Sequence, residues 1–287
     1  MKVSFVETGL FKLDGGAMFG VVPKKMWKKL NPPDENNMCT WAMRALLIET
    51  EDRKILVDTG LGNKQDDKFR SHFEPHGTAS LKKSLDQMGL HYDDITDVFL
   101  THLHFDHVGG AVSVTEDGHY FPTFPKARYW SNEMHYKWAL DPNPREKASF
   151  LKENFVPLQG AGVLDFVDVK SSKEVFKWLP GISIQLVYGH TEAMMLLHLS
   201  VNGKKMIYCA DLIPSSFHIG LPYVMSYDVR PLEAIKEKKN LLDLAIEESA
   251  LLLFEHDPSK GSCTIKKNDR GRIVLDKYVT IEEYLKD

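Results

Sequence analysis

The sequence predicts an α/β protein whose core is two β-sheets covered by helices. Short apolar, strand-like runs interleave with amphipathic helical ones, no low-complexity linker separates them, and polar residues collect where the apolar runs stop. A chain of 287 residues that is 43% hydrophobic and 26% charged can bury a substantial core. Residues 1–287 are therefore expected to form a single domain of two pseudo-equivalent halves, about 1–165 and 166–287, without a sequence repeat between them.

Strands are expected in the first half at Lys2 to Glu7, Ala45 to Glu49, Lys54 to Val57 and Asp97 to Leu100. The second half adds Ile182 to Tyr188, Met195 to Val201, Lys205 to Ala210, Ala250 to Phe254 and Arg272 to Leu275. Ala79 to Met88 carries Leu81, Leu85 and Met88 at helical spacing, and Gly89 ends it. Leu232 to Glu247 repeats that pattern with Ile235, Leu242 and Ile246. Thr280 with Glu283 reads as a capping box opening a terminal helix. Ser131 to Asn154 is helical in composition, but Pro142 and Pro144 must break it, so it reads as a lid or substrate wall.

Composition excludes several classes. A formal net charge of -4 gives no general attraction to nucleic acid or an anionic membrane, and Lys24-Lys25-Met26-Trp27-Lys28-Lys29 reads as a solvated face. No segment approaches the roughly 18 apolar residues of a membrane span, and Met1 to Leu10 lacks a signal-peptide core. Cys39, Cys209 and Cys263 are odd in number and widely spread, which argues against a disulfide framework. A reducing, cytoplasmic compartment is expected.

Chemistry concentrates in His102-Leu103-His104-Phe105-Asp106-His107, directly after the apolar run Val98-Phe99-Leu100. Imidazole nitrogen and carboxylate oxygen suit zinc, and four such groups in six residues can serve two ions. Further polar residues follow other apolar runs: Asp58-Thr59-Gly60, Gly189-His190, Asp211 and Glu255-His256-Asp257. Groups at the carboxyl ends of strands leave the packed core yet stay on rigid supports.

The HxHxDH motif at 102–107, with Gly189-His190, Asp211 and His256, resembles the metallo-β-lactamase superfamily. Leu13 to Lys24, Thr101 to Gly110, Ala210-Asp211-Leu212 and Phe254 to Asp257 resemble its YtnP-type branch of quorum-quenching N-acyl homoserine lactonases. The resemblance implies an αββα sandwich, two mixed central sheets flanked by helices, and a homodimer. It assigns His102, His104 and His190 to one zinc ion and Asp106, His107 and His256 to a second, with Asp211 bridging; other divalent metals can substitute. A metal-shared water would ionise near neutral pH and open a small-molecule lactone, Asp106 carrying the proton to the leaving oxygen. Asp58 is expected behind the ligands, holding a histidine or the loop.

Two departures stand out. Many members have Pro-Gly after the His-Thr of the later turn, where this chain has Glu192-Ala193. Some homoserine lactonases have tyrosine three residues after the bridging aspartate; here it is Pro214, which leaves His218, Tyr223 and Tyr227 as candidate substrate contacts. The alternatives are a broader esterase or phosphotriesterase, and a noncatalytic metal-binding protein. The last would be expected to close its coordination with four ligands per ion, often including cysteine, whereas seven ligands over two ions leave room for water.

Overall fold

The computed structural model describes residues 1–169 and 174–286. Two compact units emerge, one of Met1–Phe11 with Met43–Lys170, the other of Lys12–Ala42 with Ser171–Asp287. The helices in chain order are α1 (Gly15–Phe19), α2 (Lys24–Trp27), α3 (Asp67–Phe73), α4 (Leu81–Gln87), α5 (Phe105–Val108), α6 (Glu133–Leu140), α7 (Val156–Gly160), α8 (Pro231–Glu247) and α9 (Ile281–Lys286).

The first sheet draws on β1 (Lys2–Asp14), β2 (Met38–Glu49), β3 (Lys54–Val57), β4 (Asp97–Phe99), β7 (Arg128–Ser131) and β8 (Leu164–Phe166), in the order β1-β2-β3-β4-β7-β8. β5 (Val112–Val114) and β6 (Tyr120–Pro122) form a separate hairpin. β2 and β3 pair antiparallel, whereas β3, β4, β7 and β8 are mutually parallel, so their carboxyl ends share an edge. β3 delivers Asp58 to that edge and β4 delivers the HxHxDH turn. Leu56, Val98, Leu100 and Tyr129 pack with Leu81 and Leu85 of α4 and with Tyr136 and Ala139 of α6.

The second sheet is β9 (Phe176–Leu179), β10 (Ile182–Val187), β11 (Met194–Val201), β12 (Lys204–Tyr208), β13 (Leu251–Leu253), β14 (Ser262–Lys267) and β15 (Ile273–Tyr278), ordered β15-β14-β13-β12-β11-β10-β9. β10 and β12 both run antiparallel to β11, and β12 runs parallel to β13. Chain direction therefore brings His190, Asp211 and His256 out at one edge.

Several expectations shift. β1 continues past Glu7 through Gly9, whose φ of +132° breaks the side-chain pattern. β2 starts at Met38 rather than Ala45; Arg44, which interrupts the apolar run, is tied by its Nε to Glu7 Oε1 at 2.6 Å. β7, β8, β9 and β14 escape prediction because they are short or carry charged residues on an open face, as in Arg-Tyr-Trp-Ser and Ser-Cys-Thr-Ile-Lys-Lys. α6 is capped by Asn132 and ends before Pro142. On α8 the buried positions are Ala234, Glu237, Lys238, Leu241, Leu242 and Ala245, so the inward face includes two charged residues and leaves Ile235 and Ile246 half-buried. Thr280 and Glu283 form the expected capping box, with reciprocal bonds of 3.1 and 2.8 Å.

Gly109, just after the motif, lies against the β3 loop so closely that a Cβ would sit 2.0 Å from Leu61 O. Backbone cannot yield there as a flexible side chain would. Gly109→Ala is expected to cost about 1–3 kcal/mol of unfolding free energy in urea titration.

Candidate metal centre

In the first unit the turn is held by Asp58, whose backbone takes a left-handed φ of +58° and whose side chain is buried. Asp58 Oδ1 accepts Thr101 N–H at 2.8 Å and Oδ2 accepts the Thr101 hydroxyl at 2.7 Å. Thr101 Oγ1 has thus used its proton, so it accepts from His102 Nδ1 at 3.1 Å, leaving a lone pair on His102 Nε2. That lone pair faces His104 Nδ1 at 3.1 Å. The far side of His104, Nε2, looks toward Glu146 Oε1 at 3.7 Å. His107 Nδ1 donates to Asp58 Oδ2 at 3.2 Å, which turns the Nε2 lone pair toward Asp106 Oδ2 at 3.9 Å.

The segment from Asn132 to Phe150 supports this turn from outside. His135 Nε2 accepts Leu103 N–H at 2.8 Å, and Ser149 O accepts Phe105 N–H at 2.9 Å. Glu146 is itself fixed by Trp138 Nε1 at 2.8 Å and Asn143 Nδ2 at 2.6 Å. The proline-broken region thus positions the motif. Sequence reading missed His135 and Glu146, for which spacing offers no signal.

In the second unit His190 Nδ1 donates to Asp228 Oδ1 at 2.8 Å, and its Nε2 faces Asp211 Oδ2 at 3.2 Å. His256 Nδ1 donates to Ala42 O at 2.7 Å, and its Nε2 faces Asp211 Oδ1 at 3.0 Å. Burial pushes the Asp228 carboxyl up, against the lowering pull of His190. The loop after Asp211 folds back on Asp257, which accepts Ser216 N–H at 3.0 Å, while Pro214 O accepts His256 N–H at 2.9 Å. Asp228 is a further participant absent from the sequence reading.

These contacts test the fit of a cation. A neutral imidazole has one proton, and for His190 and His256 a carboxylate or carbonyl already takes it. In that neutral form their inward nitrogens are acceptors set 3.0–3.2 Å from carboxylate oxygens, a repulsive arrangement that a cation, whether a proton or a metal ion, resolves. His102 and His104 pose the same problem: one proton on His104 can serve Glu146 or His102, not both. Imidazole nitrogens and carboxylate oxygens make a donor set suited to zinc and similar divalent ions.

A model of the metallo-beta-lactamase superfamily matches residues 44–256. The chain belongs to that superfamily. Membership makes it a metal-dependent hydrolase, with the mixed sheets and helices of the metallo-beta-lactamase fold. An N-acyl homoserine lactonase of Bacillus thuringiensis is 23% identical over 278 residues, covering 92% of this chain and 96% of the relative. A structure from Staphylococcus aureus, described as a probable metal-dependent hydrolase, superposes with a TM-score of 0.85 at 28% identity, covering 98% of this chain and 97% of that one. A dizinc quorum-quenching lactonase solved with a product N-acyl homoserine superposes at 0.78 with 22% identity, covering 97% and 95%.

One local feature falls where, by the resemblance above, many members carry Gly. Ala193 stands at that position with φ +52°, a conformation L side chains resist. Ala193→Gly is expected to raise unfolding free energy by about 0.5–1 kcal/mol in denaturant titration.

Of the candidate substrate contacts, Tyr227 is exposed, Tyr223 half-buried and His218 fully buried. His218 stacks on Phe19 at 5.0 Å and leans on Trp41 at 5.8 Å; Tyr223 meets Phe19 edge-on at 6.1 Å. Both nitrogens of His218 are engaged, Nε2 donating to Met18 O at 2.9 Å and Nδ1 accepting from Ser215 Oγ at 2.7 Å. The indole Nε1 of Trp41, in the same cluster, has no hydrogen-bond partner. The three cysteines are buried free thiols, and among the described residues no helix is long and apolar enough to cross a membrane.

Burial holds the His218 imidazole down to about 3 from 6.5. Between those values the unfolded chain binds a proton that the folded one refuses. Stability from this group is therefore present above pH 6.5 and is lost as pH falls towards 3. In chelator-treated protein, His218→Gln is expected to flatten the slope of unfolding free energy in that window by up to about 1.4 kcal/mol per pH unit.

Proposed function

We propose that the chain is a two-metal hydrolase that opens the lactone ring of N-acyl homoserine lactones. His102, His104 and His190 would hold one divalent ion, Asp106, His107 and His256 the other, with Asp211 shared and zinc the expected metal. The observation that carries the reading is the set of lone pairs turned inward by outer acceptors in both units. A single domain over residues 1–287 belongs to the same proposal.

Bound divalent ions supply Lewis acidity, making water a nucleophile near neutral pH and polarising a carbonyl. The remaining roles belong to the protein. Asp106 orients the attacking water, takes its proton and delivers it to the ring oxygen as the acyl C–O bond breaks. Asp58 keeps the HxHxDH turn rigid through that exchange, and Asp228 keeps His190 oriented.

Apolar surface beside the ligands suits an acyl chain. Phe105, between His104 and Asp106, packs with Phe69 at 5.2 Å and Phe73 at 4.4 Å. Relatives named as homoserine lactonases support the same class. Pro214 favours a second reading, a broader esterase or phosphotriesterase, because it removes the tyrosine that some lactonases aim at the lactone carbonyl. Quorum quenching, a cytoplasmic location suited to the free thiols and a homodimer complete the proposal.

Zinc-loaded protein should release protons from short- and long-acyl homoserine lactones faster than from aryl esters or a paraoxon-like triester. Turnover of esters alone would sink the lactonase reading. Asp106→Asn should lower kcat by about 10²–10⁴-fold. Full turnover of that variant with both metals bound would contradict the proton-carrying role.

A further inference from the structure

Two charged residues on α8, Glu237 and Lys238, are buried and play no part in the chemistry above. Lys238 Nζ donates to three backbone carbonyls: His218 O at 3.0 Å, Gly220 O at 3.0 Å and Tyr223 O at 2.8 Å. An ammonium has three protons, and each finds an acceptor. Glu237 does the converse. Its Oε1 accepts Tyr188 N–H at 2.8 Å and its Oε2 accepts Gly189 N–H at 2.9 Å.

The two side chains serve different loops. Glu237 seizes the turn before His190, where Gly189 is pressed so tightly on α8 that a Cβ would lie 2.4 Å from Ala234 Cα. Arg230 closes the same turn, its Nη1 donating to Tyr188 O at 2.7 Å and its backbone N–H to Gly189 O at 2.9 Å. Lys238 instead gathers residues 218–223, which carry His218 and Tyr223 against Phe19. A buried charge is costly, and apolar residues of similar volume stabilise a helix face at least as well. Geometry of the two loops is what these charges add.

We propose that Glu237 and Lys238 are positioning residues with separate outputs: Glu237 sets the turn that carries His190, and Lys238 sets the loop that carries Tyr223, the half-buried candidate substrate contact. The inference rests on the two-metal hydrolase reading, but it does not require the substrate to be a lactone.

The test compares Glu237→Gln, Lys238→Met and Lys238→Arg in the full chain. It reads zinc retained against a chelator, amide exchange of residues 188–190 and 218–223, and KM and kcat on whichever ester or lactone turns over fastest. Glu237→Gln is expected to weaken zinc retention about tenfold and speed exchange at 188–190, leaving 218–223 protected. Lys238→Met is expected to speed exchange at 218–223 and raise KM about tenfold, with kcat within about twofold and two zinc ions kept, while Lys238→Arg recovers part of the KM. Should Lys238→Met fail to fold, Lys238→Gln, with two of the three donors, should still raise KM. Unchanged KM in the lysine variants, or both loops loosening together in either single variant, would overturn the proposal. Absence of lactone turnover alongside the expected exchange and zinc results would instead reject the lactone assignment and uphold this pair.

Discussion

The outer hydrogen-bond partners of the buried histidines govern this structure. Asp58, through Thr101, draws the His102 proton outward and directly draws that of His107; Asp228 does the same for His190, and Ala42 O for His256. In the neutral imidazole each of these outer acceptors leaves an inward lone pair. Without a cation those lone pairs confront carboxylate oxygens or each other in buried surroundings, where such contacts are most costly. The candidate ligand set is thus oriented from behind.

Strand direction and close backbone approach supply the rigidity that this arrangement needs. Parallel β3 and β4 bring Asp58 to Thr101, and parallel β12 and β13 bring Asp211 to His256. Glycine at 109 and 189 lets backbone seat on backbone where any side chain would intrude. Asp58 accepts a left-handed φ, a local strain offset by three bonds to its carboxylate. Helix α8 adds a buried carboxylate and a buried ammonium whose partners are backbone groups of two loops.

Much of this was legible in the sequence because it depends on local chemistry. The HxHxDH spacing, the apolar runs before Asp58, His190, Asp211 and His256, and the Thr280–Glu283 box all report short-range geometry. Strands such as β7 and β14 were not legible, since their pattern makes sense only beside their neighbours in the sheet. The same holds for Asp228, Glu146, His135 and Lys238, which look like ordinary surface residues in the sequence. Their burial follows from contacts with residues between 15 and 42 positions away, as in the bond from Lys238 to Tyr223 and the 3.7 Å approach of His104 to Glu146. Helix periodicity located α8 and its buried Leu242 but not the inward turn of Glu237 and Lys238, which are more buried than Ile235 and Ile246.

The most direct test of the account is the metal content and metal positions of the purified chain, by elemental analysis and anomalous diffraction after zinc loading. Two zinc ions per chain are expected, with inward nitrogens of His102, His104 and His190 on one, His107 and His256 with Asp106 on the other, and Asp211 between. A chain that binds one ion or none while its histidines keep these orientations would contradict the claim that outer acceptors preset a paired metal site.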